Sequence, residues 1–192
     1  DHHQRGAGQK KESDIDGEGA GSGRRLQVEQ ILHGWPERAA AIRDLRYELA
    51  LSIPAERREP VSGRVVATLT LASPHRLVFD FAQPRDRVGA VTVNGSEVRH
   101  AAVDGHLVVP AEATRAGANE VAIEFTAGDE ALNRNDEFLY SLFVPARAQL
   151  AFPCFDQTDL KARYSLTLEV PAGWEAVANG AERARQGTRI SF

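Results

Sequence analysis

From Leu45 onward, apolar residues recur at every second position, and that rhythm limits the chain's possible folds more than any other feature. "RYELALSIP" puts Tyr47, Leu49, Leu51 and Ile53 on one face, "RVVATLTLA" does so with Val65, Ala67, Leu69 and Leu71, and "RLVFDFA" with Leu77, Phe79 and Phe81. A period of two is that of a pleated strand with one face buried. The cleanest example is "ARYSLTLEVP", where Tyr164, Leu166, Leu168 and Val170 alternate with Ser165, Thr167 and Glu169. "HLVVPAE" and "NEVAIEF" read as strands on either side of a turn at Gly117–Asn119, and "EFLYSLFVP" and "WEAVANG" read as strands as well. In "AVTVNGSEV" the dipeptide Asn94-Gly95 tolerates positive φ and predicts a tight hairpin. The same residues with Ser96 match the N-glycosylation acceptor pattern, but a hairpin tip accounts for all three. So many short strands punctuated by turns predict an all-β chain: a two-layer antiparallel/mixed β-sandwich.

The first 44 residues differ. Residues 1–24 hold Gly, Ser, Asp, Glu and Lys with almost nothing apolar, and predict a flexible tail. "GEGAGSG" lies there, but its glycines miss the dinucleotide-binding spacing and follow no strand. Residues 25–44 predict a short helical segment: Val28, Ile31, Leu32 and Trp35 form one stripe, and a further turn from Pro36 to Arg43 points Ala39 and Ile42 inward. Residues 45–192 are then the β-sandwich domain. The net charge is −4 with both signs interspersed, so no basic patch exists for nucleic acid or an anionic membrane. No apolar run approaches the ~20 residues that cross a bilayer.

Residues able to do chemistry are few. The single Cys154 has no cysteine to pair with and reads as a small buried hydrophobe. His33, His75, His100 and His106 are not followed by Glu, and no pair is spaced four apart, so they read as surface or strand-end residues rather than metal ligands. No catalytic, cofactor-binding or metal-binding residue is assigned. The stretch "FPCFDQTDLKA" predicts a corner: Pro153 interrupts the ladder, Asp156 accepts backbone N–H groups at the start of the turn "QTDLKA", and Lys161 pairs with Asp156 or Asp159.

At these residues the chain resembles a known family. "NDEFLYSLFVPARAQLAFPCFDQTDLKARYSLTLEVPAGWEAVANG", residues 135–180, is similar to the N-terminal domain of the aminopeptidase N family of zinc metallopeptidases, which shows P-C-F-D-x-P-x-x-K-A-x-F and then V-x-N-G. Pro153, Cys154, Phe155, Asp156, Lys161, Ala162, Val177, Asn179 and Gly180 match; Thr158 and Tyr164 depart from it. The resemblance extends from about Leu45 to the end. It implies a saddle-like all-β domain packed in cis on a catalytic domain that holds zinc, helping to close a cavity for peptide substrates. It also implies a glutamine, with a glutamate or glutamine two residues on, to hold the substrate amine; those positions fall on Leu142 and Val144. Apolar side chains cannot hold an ammonium. Either other residues do so, in the catalytic domain or the acidic loop Asp136–Glu137, or the specificity has changed. Leu142 and Val144 share a face with Phe138 and Tyr140, which predicts packing.

Two functional classes follow. One is the non-catalytic N-terminal domain of a zinc-dependent aminopeptidase; the alternative is a stand-alone β-sandwich module that binds peptides or proteins. The absence of methionine, the start at Asp1 and the end inside the strand-like "RISF" predict a piece of a longer protein. A single cysteine suits a cell envelope or a cytosol, and the polar leader leans toward the bacterial periplasm or cell envelope.

Overall fold

The computed structural model describes residues 35–192; the predicted tail and most of the Val28–Trp35 stripe lie outside them. Helix α1 (Trp35–Ala41) leads directly into β1 (Ile42–Ser52). There follow β2 (Ser62–Leu71), β3 (Leu77–Asp80), β4 (Val88–Val93), β5 (Ser96–Glu97), β6 (Ala101–Val103), β7 (His106–Val109) and β8 (Gly117–Thr126). After a long irregular stretch come β9 (Arg163–Glu169), β10 (Ala184–Gln186) and β11 (Arg189–Ser191). Eight strands form one sheet in the order β10-β11-β9-β1-β2-β8-β4-β5, and β3-β7-β6 form a second. The predicted all-β, mixed sandwich is what the chain forms: β1 and β9 pair in parallel, from Arg46↔Arg163 to Ser52↔Glu169, and the other ladders are antiparallel.

The alternating residues make the core. Tyr47, Leu49, Leu51 and Ile53 of the first strand, Val65, Ala67, Leu69 and Leu71 of the second, and Val121, Ile123 and Phe125 of β8 are all buried. The second sheet closes over them with Leu77, Phe79, Leu107 and Val109. Phe79 stacks on Phe155 at 4.4 Å, and Phe81 meets Phe125 edge-on at 5.8 Å, joining the layers. Each such side chain removed from water contributes roughly 1.5–3 kcal/mol. Gly63 makes room within the large sheet for the side chains of its two cross-strand partners: a Cβ there would lie 2.8 Å from Phe125 Cε2 on β8 and 2.9 Å from Leu51 Cδ2 on β1. Asn94 and Gly95, at φ 52° and 83°, turn the predicted hairpin between β4 and β5. Asn94 Nδ2 donates to Asn119 Oδ1 and its Oδ1 accepts from the Glu120 N–H, so the side chain is part of the turn.

Several local expectations are corrected. The first strand begins at Ile42, ahead of Leu45, with a bulge between Arg43 and Arg46 that places Asp44 at φ 53°. "EFLYSLFVP" and "WEAVANG" form no ladder: the former makes one isolated bridge, Arg134↔Leu139, and the latter is irregular. The stretch around residue 134 is held differently. The Arg134 guanidinium donates to the carbonyls of Pro54, Glu56, Arg57 and Glu59, at 2.5 to 3.2 Å, and ties this stretch to the loop after β1.

Candidate functional site

Two features occupy the region where the sequence resembles a peptidase domain: a buried polar corner and an open apolar hollow. The corner is built around Asp80, the last residue of β3. Its carboxylate receives both arms of the Arg38 guanidinium, at 2.9 and 3.0 Å, and the Asp156 N–H at 2.9 Å. His106 Nε2 lies 3.5 Å from it. The backbones of Asp80 and Cys154 exchange two hydrogen bonds, at 2.7 and 3.1 Å, and the Phe155 N–H donates to Tyr47 Oη at 2.8 Å. The helix, the second sheet and the "PCFD" segment thus meet at one buried carboxylate, and Tyr47 ties that segment to the large sheet. Burying a charge is costly unless it is paired and hydrogen-bonded, and here it is both.

The corner predicted at Pro153–Asp156 therefore exists, with different partners. Asp156 Oδ2 accepts from the N–H of Gln149 at 3.1 Å, before the corner, and not from the turn that follows it. Asp159 accepts from Gln157 at 2.9 Å, and among the described residues Lys161 forms no ion pair with Asp156 or Asp159. Burial pushes the Cys154 thiol well above its ordinary value, and the Asp156 and Asp80 carboxylates add to the rise. Burial likewise raises Tyr47, with Cys154 next in effect. Asp156 is raised by burial and held back by the Gln149 N–H. Both the thiol and the phenol are thus kept neutral, which is the opposite of nucleophile activation.

Sequence reasoning missed Arg38 and Asp80. The available signal was a lone aspartate inside the apolar run "LVFDF": an unpartnered carboxylate does not belong there, so a cation had to come from elsewhere in the chain.

Beside the corner lies the hollow, ≈ 770 Å³, floored by Leu49, Leu51 and Ile53 and walled by Tyr164, Leu166 and Leu168 on one side and Trp174, Ala176 and Ala178 on another. The strand with the cleanest alternation is nevertheless poorly covered: no residue of β9 is fully buried, and Tyr164 is 48% exposed. The packing expected for Phe138, Tyr140, Leu142 and Val144 is likewise not found. All four stand exposed, by 44% to 68%, on the irregular 137–145 segment whose Tyr140, Ser141 and Phe143 line the hollow. Asp136 and Glu137 are exposed too.

His75 and His100 precede strands, His106 opens β7, and His33 lies outside the described residues. Among the described residues no group of three or more His, Cys, Asp or Glu side chains converges to hold a metal ion. No helix among them is long and apolar enough to cross a membrane.

No family model matches the chain, and no curated protein sequence does. Solved structures do. The fold is that of a part of solved M1 zinc metallopeptidases and of LTA4 hydrolase, in keeping with the resemblance at residues 135–180. The particular structures include yeast LTA4 hydrolase in complex with bestatin, 19% identical with a TM-score of 0.66, where 80% of this chain covers 26% of that one. A mutant M1 zinc metallopeptidase from Deinococcus radiodurans is 26% identical with a TM-score of 0.60, covering 79% of this chain and 38% of that one. The same enzyme bound to a Tyr-Ser-Ala substrate gives 26%, 0.58, 79% and 39%. The chain therefore spans between a quarter and two fifths of these proteins.

Proposed function

We propose that this chain is the non-catalytic N-terminal domain of a zinc-dependent aminopeptidase, packing on a catalytic domain in cis and shaping the cavity that admits the peptide's N-terminus. The observation that carries the reading is the open hollow with its exposed rim, in a domain whose fold recurs in those enzymes. A self-sufficient domain buries its amphipathic strands; contiguous exposed apolar surface of this kind marks a surface made to be covered. The Phe138–Val144 strip and β9 need a lid of complementary apolar shape. A catalytic domain supplies one without the entropic cost of bringing two molecules together. One relative is described as a two-domain M1 zinc metallopeptidase, and this chain covers 39% of it, the share expected of one of two domains. In that assembly zinc and the water-activating residues belong to the other domain. This chain's part is to position and enclose.

Leu142 and Val144 stand where the resemblance places the amine-holding residues, and being exposed they offer the cavity apolar surface instead. The substrate ammonium is then held by groups outside this strip. The test is to express the full reading frame that contains this chain and residues 1–192 alone, and to assay both for zinc-dependent release of N-terminal amino acids. Release by the full product and not by residues 1–192 is expected. A full product with no zinc motif and no activity would overturn the assignment in favour of a binding module.

A further inference from the structure

The hollow's walls are not equally firm. Its floor and one wall are strands, held by the β1–β9 and β9–β11 ladders. The other wall, residues 171–183, belongs to no ladder. It is bracketed by two bonds to the β10–β11 hairpin region, Val170 N–H to Thr188 O at 3.0 Å and Arg183 N–H to Ser191 O at 2.8 Å. Between them, among the described residues, the backbone makes only the turn bond from Trp174 N–H to Pro171 O. Gly173, at φ +85°, sits at the near end of the segment, where a backbone pivot is sterically easy. Trp174, Ala176 and Ala178 face the core half-buried, whereas Val177 is 94% exposed.

One side chain fastens this wall from outside. Arg185 of β10 grips Glu182 with two bonds, Nε to Oε1 at 3.1 Å and Nη2 to Oε2 at 2.8 Å, and the same Nη2 reaches Glu175 Oε2 at 3.0 Å. Isolated surface ion pairs contribute little, but a bidentate arginine shared by two carboxylates is the geometry in which they contribute most. Without the arginine, two carboxylates gathered around one point would repel each other, and Glu175 is carried by the wall itself, next to Trp174.

We infer that residues 171–183 are a hinged wall of the apolar hollow, latched by Arg185 across Glu175 and Glu182, and that releasing the latch widens the hollow. That the hollow receives a partner surface rests on the proposed function; that its wall is latched does not. The experiment is amide hydrogen exchange read by mass spectrometry on the full-length protein, comparing wild type with Arg185→Ala. Exchange at the hydrogen-bonded amides of Val170, Trp174 and Arg183 is expected to rise several-fold, with peptides from β1 and β2 unchanged. Wild type in 1 M salt, where screening acts within about 3 Å, should move toward the variant. The charge-swapped triple variant, Arg185→Glu with Glu175→Arg and Glu182→Arg, should restore slow exchange. Unchanged exchange in Arg185→Ala, or acceleration spread equally over β1 and β2, overturns the latch. Neither outcome depends on peptidase activity, so failure here is distinguishable from failure of the functional assignment.

Discussion

Replacing Asp80 with alanine is the sharpest test of how this domain is held together. Asp80 is 3% exposed, and its carboxylate receives three hydrogen bonds at 2.9 to 3.0 Å, two from Arg38, itself 5% exposed, and one from the Asp156 N–H. A buried ion pair need not add net stability over an apolar pair of the same shape, because desolvating two charges offsets their attraction. Removing one partner is different: the guanidinium remains buried with nothing to neutralise it, at a cost of about 3–5 kcal/mol. For a chain of this size each kcal/mol lowers Tm by roughly 2–4 °C, so the expected drop is roughly 6–20 °C. Thermal unfolding followed by circular dichroism measures it. The double variant Arg38→Met with Asp80→Leu removes both charges and should recover part of the loss. It should still fall short of wild type by about 1–3 kcal/mol, because the Asp156 N–H has lost its acceptor. A drop of less than about 3 °C in Asp80→Ala, or a double variant no better than the single, would refute the view that this carboxylate joins the helix, the second sheet and the corner.

Gly63→Ala should lower stability by about 1–3 kcal/mol, since the added methyl would press on Phe125 and Leu51; an unchanged urea midpoint would mean that these cross-strand side chains move aside freely. For Asp156 the sign follows from its raised pKa. A carboxyl raised by burial stabilises the fold most in acid, below its unfolded value, and that contribution is lost as pH rises through the folded value. Asp156→Asn should therefore gain on wild type between about pH 3 and pH 7 in urea unfolding, and the reverse trend would mean that the Gln149 N–H outweighs burial. Cys154, buried and raised, should resist a thiol reagent such as dithiobisnitrobenzoate in the native protein and react fully once unfolded; rapid native labelling would contradict its place behind the corner.

The strands that were legible in the sequence are those whose apolar face is covered within the chain. Val65, Ala67, Leu69 and Leu71 alternate and are buried, and the Asn94-Gly95 turn forms where positive φ is tolerated. What sequence could not supply was any contact between residues far apart. Arg38 and Asp80 are 42 positions apart, and Arg134 reaches carbonyls 75 to 80 positions away. Periodicity says which face a side chain occupies and is silent on which loop lies opposite. The same blindness misplaced the acceptor role of Asp156: an aspartate beside two turns can cap either, and only packing decided for Gln149.

The alternations that misled are more informative still. "EFLYSLFVP" has the period of a strand yet forms no ladder, and β9 has a textually perfect pattern yet no fully buried residue. Apolar alternation is selected wherever one face must leave water, whether the cover belongs to the same layer, another domain or another molecule. Phe138, Tyr140, Leu142 and Val144 satisfy the pattern and find no cover among the described residues, while Leu49, Leu51 and Ile53 satisfy it and do. Where a periodic sequence and an exposed structure disagree in this way, the missing term is the surface that completes the core. In the proposed assembly the catalytic domain supplies that surface, and the open hollow with its exposed apolar rim is what it would cover.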